Sequence, residues 1–217
     1  MWTDTDLQHH VEQELEWEPS VHKRQIGVMV KAGTVHLSGH VDSYWEKCQA
    51  ESAAWRIAHL KTVVNEIRVE LPFSQQRDDD ELALAAMGIL ESNCLVPASV
   101  EVQVAGGCLT LLGGVELHFQ KEAAEQALCP LRGLRGLRND IVIKPAAHMG
   151  DVKAMVEEAL KRSALVDSSR IKVHVAQDAI SLRGHARTHA EREAALRAAW
   201  SAPGVAKVED HVTIGTA

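Results

Sequence analysis

Histidine, cysteine and arginine are the residues of this sequence with the most chemistry to offer. Twelve histidines are spread over 217 residues. His36 and His40 flank the end of an apolar-alternating segment, and His185 and His189 surround a later segment boundary. A zinc centre needs three or four converging ligands, usually with a fixed local pair. The position shared by His40 and His185 holds Gly114 in the middle third of the chain, so no metal is assigned. The four cysteines, Cys48, Cys94, Cys108 and Cys129, form no CxxC pair. That spacing suits neither a disulfide framework nor a zinc site, and the expectation is buried or half-buried free thiols. Glycines bracket seven-residue apolar segments, as at Gly33–Gly39 and Gly107–Gly113, and do not form a phosphate loop. No catalytic set emerges, no cofactor is implied, and the expectation is a non-enzyme.

What remains is the chemistry of cations meeting anions. The run LRGLRGLR places Arg132, Arg135 and Arg138 three residues apart. In a helical or 3₁₀ conformation they would share a face and could meet lipid phosphates through charge-assisted hydrogen bonds. In a solvated turn they would instead pair with the chain's own carboxylates. Lys161, Arg162, Arg170 and Lys172 form a second basic cluster. The whole chain carries −7, which argues against general electrostatic binding of nucleic acid. The charge is uneven: residues 1–72 and 73–145 carry −4 each, whereas residues 146–217 carry +1. If one part touches an anionic surface, electrostatics favour the last. Trp17 and Trp45 could anchor at a membrane interface, with packing the simpler expectation. Trp55 and Trp200, at equivalent positions, are expected in the core.

A hydrophobic content of 46% and a charged content of 24% are those of a soluble globular protein. Aromatic residues are sparse, so small apolar side chains must do most of the packing. The stretch MWTDTDLQHHVEQELEWEP has acids where a signal peptide needs basic residues and an apolar run. No segment approaches the roughly 18 apolar residues of a spanning helix. The expectation is a cytoplasmic protein without a transmembrane segment.

The elements that must position these residues are written three times. GTVHLSG (Gly33–Gly39) is echoed by GCLTLLG (Gly107–Gly113) and DAISLRG (Asp178–Gly184), with closing glycines offset by 74 and 71 residues. Asp6, Asp80 and Asp151, near three helix starts, keep those offsets, as do Asn65, Asn139 and Asp210 near three unit ends. Internal repetition of this kind fixes the architecture, giving units at 1–72, 73–145 and 146–217.

Each unit opens with an amphipathic helix: Leu7, Val11 and Leu15 in the first, Leu82, Met87 and Leu90 in the second, and Val152, Met155, Val156, Ala159 and Leu160 in the third. Asp4 or Asp6 is expected to cap the first helix. Two strands follow, with Val28, Val30, Val35 and Leu37 on one face by period-two alternation, then Val102, Val104, Leu109 and Leu111, then Val173, Val175, Ile180 and Leu182. The turns at Ala32-Gly33, Gly106-Gly107 and Gln177-Asp178 suit the positive φ of tight hairpins. Gly39, Gly113 and Gly184 are expected to let the chain leave the sheet. A second helix carries Ala50/Ala54, Ala124/Leu128 or Ala195/Ala199, and a last strand closes the unit. The predicted fold is α+β: three tandem α-β-β-α-β units, each a three-stranded sheet with two helices on one face. The Asn65, Asn139 and Asp210 side chains are expected to bond nearby backbone.

These marks resemble the BON domain, named for bacterial osmotically induced and nodulation proteins. They are Val35-Leu37-Gly39 with Val63-Asn65-Ile67-Val69, Leu109-Leu111-Gly113 with Leu137-Asn139-Ile141-Ile143, and Ile180-Leu182-Gly184 with Val208-Asp210-Val212-Ile214. Pro203-Gly204-Val205 is similar to that family's lead-in to the last strand. The resemblance implies three tandem BON domains, each a mixed sheet with its last strand beside and parallel to the second. It implies no enzyme activity, and a bacterial binding or scaffold role linked to stress or transport. The expected partner is an anionic phospholipid surface or another protein. The alternatives are a soluble sensor of a cation (potassium) or small ligand, and an interaction module that pairs through open sheet edges. The oligomeric state is left open.

Overall fold

The computed structural model of the chain describes residues 2–22, 25–144, 152–163, 166–176, 179–202, 205 and 207–215. The first repeat runs α1 (Asp4–Trp17), β1 (Ile26–Lys31), β2 (Thr34–Val41), α2 (Tyr44–Trp55), β3 (Thr62–Asn65) and β4 (Arg68–Val69). One turn of 3₁₀ helix at Phe73–Gln75 leads to the second: α3 (Asp79–Ser92), β5 (Val100–Ala105), β6 (Cys108–Val115), α4 (His118–Leu128), β7 (Gly136–Asn139) and β8 (Val142–Ile143). The third holds α5 (Val152–Arg162), β9 (Ile171–Ala176), β10 (Ala179–Ala186), α6 (His189–Trp200) and β11 (Lys207–Ile214). The linker at 145–150, the turn Gln177-Asp178, Pro203-Gly204 and Asp151 lie outside the described residues.

All three sheets share one topology. An antiparallel hairpin, β1-β2, β5-β6 or β9-β10, pairs its second strand in parallel with the unit's last strand. That is the mixed order implied by the resemblance. The last strand is interrupted in the first two repeats, where β4 and β8 resume pairing with β2 and β6, and is continuous in the third.

Period-two alternation buries Val35 and Leu37, Leu109 and Leu111, and Ile180 and Leu182. The helices meet them with Leu7, Val11 and Leu15, then Leu82, Ala86 and Leu90, then Val156 and Leu160. Small residues on the second helix, Ala50, Ala53 and Ala54 in α2 and Ala195 and Ala199 in α6, are fully buried, so each helix lies close on its sheet. The chain divides into two compact bodies. One holds most of the first two repeats; the other holds the third with short segments at Ala58–Lys61 and Glu116–Phe119. The third repeat has its own core, in which Val156, Leu160, Val173, Leu182, Ala195 and Val212 pack together.

Several sequence expectations need correction. Met87 and Met155 are exposed, because the buried helical stripes run 82–86–90 in α3 and 156–160 in α5 at i, i+4 and leave both off the core face. Trp17 is 81% exposed, so packing does not account for it, and Trp55 and Trp200 are half-buried at the core's margin. Cys94 and Cys108 are exposed thiols. The cap of α1 is Thr3, whose hydroxyl accepts from the Asp6 N–H while the Asp6 carboxylate accepts from the Thr3 N–H, a reciprocal capping box.

Asp4 is thereby free for another task. Its carboxylate accepts from the N–H groups of Ala32 (2.7 Å) and Gly33 (3.0 Å) at the hairpin tip. Asp79 does the same for Gly106 and Gly107, each at 2.8 Å, and those backbone bonds hold its carboxyl below the usual range. Ala32 keeps φ +52° there, a left-handed conformation that costs a non-glycine residue energy and that the Asp4 clamp offsets.

Gly39, Gly113 and Gly184 do not end their strands: each is followed by two further strand residues. They take φ values of +111°, +110° and +143°. A Cβ on any of them would fall within 2.1 Å of the backbone oxygen of Gln25, Ser99 or Arg170. The glycine is needed because the hairpin's first strand enters directly against it.

Candidate functional site

The third repeat carries a cleft whose walls follow from this architecture. Helix α5 lies beside β9, an edge strand, and between them opens a space of about 330 Å³. It is lined by Lys153, Glu157, Leu160 and Lys161 of the helix, by Ser168 and Ser169 of the loop, and by Lys172 and His174 of the strand. Helical spacing puts Lys153, Glu157 and Lys161 on one face, while in the edge strand Ile171 and Val173 turn to the core and Lys172 and His174 to the other face, so that these two border the cleft at its outer rim. Leu160 and Ile171 make the apolar floor.

The electrostatics are cationic. Glu157 is met by Lys153 at 3.8 Å, and Lys161 shares Glu158 with Arg162 at 3.2 and 4.0 Å. These are exposed pairs that water screens and that a competing anion can open. Lys172 has no carboxylate within ion-pairing distance among the described residues, and across the hairpin it faces Arg183, also exposed. Asp167, the nearest loop acid, is occupied. It accepts from the Ser169 hydroxyl (2.6 Å) and N–H (3.2 Å) and pairs with Arg170 at 3.3 Å, and the Ser169 hydroxyl holds its carboxyl below the usual range. Ammonium groups beside Ser168 over an apolar floor suit a phosphate group attached to something greasy.

The same place in the second repeat has different chemistry. The space between α3 and β5, about 490 Å³, is lined by Met87, Leu90, Val96, Pro97, Ala98, Val100 and Val102, and its charged residues are Glu91 and Glu101. One fold thus presents an apolar, acid-edged cleft in repeat two and a basic one in repeat three.

Of the sequence-selected cations, the structure brings Lys161 and Lys172 into one cleft and puts Arg162 and Arg170 beside it. Arg132, Arg135 and Arg138 do not form a helical face: the first lies in a turn, the second in a bend and the third in β7. The Arg138 guanidinium binds Asp140, its Nε at 2.7 Å. Arg135 lies beside Gly107 and lowers the Asp79 carboxyl by its charge. Lys153, His174 and Arg183 were missed because no local motif marks them. Lys172 and Arg183 become neighbours only when the hairpin register is counted back from Gly184.

The positions of Asn65, Asn139 and Asp210 tie the last strand to the second helix. Asn65 Nδ2 donates to Lys47 O (3.1 Å) and Glu51 Oε2 (3.0 Å), and its Oδ1 accepts from Ile67 N (3.2 Å). Asn139 repeats this with Lys121 O, Glu125 Oε2 and Ile141 N. Repeat three substitutes the whole set. Asp210 Oδ1 accepts from Val212 N (2.9 Å), its Oδ2 accepts from Arg192 Nε (2.7 Å), and Leu196 stands where the glutamate stood. Arg192 replaces Lys47 and Lys121, so acid and cation changed together. Asn65→Asp should therefore destabilise the chain by about 1–2 kcal/mol at neutral pH, because it sets a carboxylate against Glu51. Adding Glu51→Leu should recover most of that loss. Urea unfolding of the single and double variants checks it, and simple additivity would contradict the coupling.

Fold and cleft together define a class: a tandem array of small α+β modules built to bind. A family model for the BON domain matches residues 3–70, 78–145 and 150–216. The chain belongs to the BON-domain family, with three tandem copies, and that membership supports a non-enzymatic binding or scaffold role. No curated protein matches the chain. Among solved structures, CdsD, a structural protein of the type III secretion system of Chlamydia trachomatis, is similar at 16% identity and TM-score 0.28, over 98% of this chain and 93% of that one. The CdsD C-terminal domain aligns at 16% identity and TM-score 0.27, over 99% and 100%. The PrgH periplasmic domain aligns at 9% identity and TM-score 0.25, over 88% and 96%. Likenesses at these scores carry nothing about function. Among the described residues no helix is long and apolar enough to cross a membrane.

Proposed function

We propose that this protein is a non-catalytic binding protein that docks on anionic phospholipid surfaces through the α5–β9 cleft of its third repeat. One observation carries the reading: the cleft is basic in repeat three and acid-edged in repeat two, although the fold is the same. Lys153, Lys161 and Lys172 supply point charges for a headgroup phosphate, Ser168 supplies a hydroxyl, and the +1 charge of this third lowers the electrostatic cost of approach relative to the others. A cationic lining favours this over the cation-sensor alternative for this cleft. A bacterial stress or transport role accords with the reading and is part of the proposal.

Co-sedimentation with phosphatidylcholine vesicles, with and without phosphatidylglycerol, tests it. Binding should require the anionic lipid and fall with added salt. Lys161→Glu/Lys172→Glu should weaken it by about tenfold or more, since each basic residue near such a surface contributes about 1 kcal/mol. Arg132→Glu, outside the cleft, should leave it unchanged. Equal loss in both variants, or binding that ignores lipid charge, would discard the proposal.

A further inference from the structure

The first two repeats, which share one compact body, bring two thiols together. Cys48 lies in α2 and Cys129 directly follows α4; they are 81 residues apart in sequence, yet their sulfurs stand 3.8 Å apart. Both are half-buried, while Cys94 and Cys108 are exposed and not paired with them. The repeat does not dictate this meeting. The counterpart of Cys48 in the second repeat is Glu122, and those of Cys129 are Trp55 and Trp200. Each cysteine is peculiar to its repeat, and the two come from elements that only tertiary structure makes neighbours.

The surroundings act on both thiols. Hydrogen bonds from Cys129 and then from Tyr44, one turn earlier on α2, hold the Cys48 thiol below its ordinary value, against burial and the charges of Glu51 and Glu125. Cys129 is pushed up by the same bond to Cys48, by burial and by Glu125. Both carboxylates are already engaged, Glu51 by the Asn65 amide and Glu125 by the Asn139 amide. At 3.8 Å each sulfur is within reach of the other, so one can attack an oxidant as the thiolate and the other can resolve the product. The nucleophile is the thiolate, and its fraction sets the rate.

We propose that Cys48 and Cys129 are an oxidant-responsive pair that forms a reversible disulfide across the first two repeats when the protein meets a hydroperoxide. One of the two, as the thiolate, attacks the distal peroxide oxygen. An S–O bond forms, the O–O bond breaks, and the departing alkoxide or hydroxide takes a proton to leave as alcohol or water. The other thiol then attacks the sulfenic acid so formed; the S–S bond forms and water leaves. Two thiols lose two electrons and the hydroperoxide gains them. Closing 3.8 Å to a bonded separation of about 2.05 Å asks for side-chain rotation and a small approach of the two helices. The product links α2 to the end of α4 and fixes the first repeat on the second.

The test uses the full-length chain and a Cys94→Ser/Cys108→Ser variant that keeps the pair. Each is treated with stoichiometric hydrogen peroxide and analysed by thiol titration, peptide mapping and thermal melting. The variant should lose two reactive thiols, form no disulfide between chains and yield a linked peptide containing Cys48 and Cys129. Dithiothreitol should reverse this, and the oxidised form should melt about 5 °C or more higher, because the bond closes a long loop in the unfolded chain. The full-length chain should yield the same linked peptide. Overturning results would be sulfinic acid at Cys48 or Cys129 without a link, a link running through Cys94 or Cys108 or between chains, or retention of both thiols at a peroxide dose that oxidises Cys94 and Cys108.

Discussion

Gly184→Ala should cost the third repeat about 3 kcal/mol or more. The new methyl carbon would sit 1.9 Å from the Arg170 carbonyl oxygen and 3.0 Å from its carbon. Those are backbone atoms at the entry to β9, so no side chain can swing aside to make room. The φ of +143° adds strain of its own. Relief would require parting β9 from β10 where Gly184 faces Ile171, at the edge of the third repeat's core. Gly39→Ala and Gly113→Ala should fail in the same way, against Gln25 and Ser99. A contrasting control lies in α3: a Cβ at Gly88 meets nothing within 4 Å, so Gly88→Ala should stabilise by up to about 1 kcal/mol through helix propensity. Urea midpoints of the four variants check the pattern; a Gly184→Ala protein as stable as the parent would contradict it.

Glu191→Ala should destabilise by about 2–4 kcal/mol, because one side chain holds two loops. Glu191 is 3% exposed. One carboxylate oxygen accepts from the Asp167 N–H at 2.9 Å, ahead of β9, and the other from the Arg187 N–H at 2.8 Å, after β10. Its own N–H is capped by the Thr188 hydroxyl at 3.1 Å. Glu46 does the same in the first repeat, accepting from His22 N and Asp42 N, and the second repeat has Gln120 at this position. Alanine leaves two half-buried backbone donors without their shared acceptor. Glutamine keeps one acceptor oxygen and should cost markedly less.

Burial pushes the Glu191 carboxyl up, but the two backbone donors and the Arg187 charge outweigh it and hold the group below 4.5. A carboxyl depressed on folding adds stability that is complete above its unfolded value and drains away as pH falls through the folded one. Stability of the parent should therefore decline as pH drops below about 4.5, and the Glu191→Ala variant should show a shallower decline over that range. Equal slopes in pH-dependent urea titrations would show that Glu191 is not a source of the acid sensitivity.

The fold was largely written in local signals. Alternation at Val35-Leu37, Leu109-Leu111 and Ile180-Leu182, and helical spacing at Leu7-Val11-Leu15, reflect burial that each short element imposes on its own residues. The recurring glycines were visible too, but their purpose was not. A φ above zero near a strand's end reads the same whether the chain turns away or another backbone presses in, and only the partner strand decides. The Asp4 and Asp79 clamps, the Glu46 and Glu191 tethers and the Cys48–Cys129 pair all join residues more than twenty positions apart. No period reveals such contacts. The basic cleft was half legible: Lys161 and Lys172 stand out as charge in a less acidic third, while Lys153, His174 and Arg183 join them only through α5 packing on β9 and the β9–β10 register. LRGLRGLR left a helical face and a solvated turn open, because an arginine every third residue fits either; its glycines and the strand that follows open it into a turn and β7, where Arg138 meets Asp140.

The most direct test of the phospholipid-docking reading is residue-resolved NMR of the full-length, isotope-labelled protein titrated with phosphatidylglycerol nanodiscs, beside phosphatidylcholine nanodiscs. Amide signals of Lys153, Lys161, Ser168, Ser169, Lys172 and His174 should shift or broaden first, with the anionic lipid alone. Perturbation centred on the first two repeats, or an equal response to both lipids, would contradict the account.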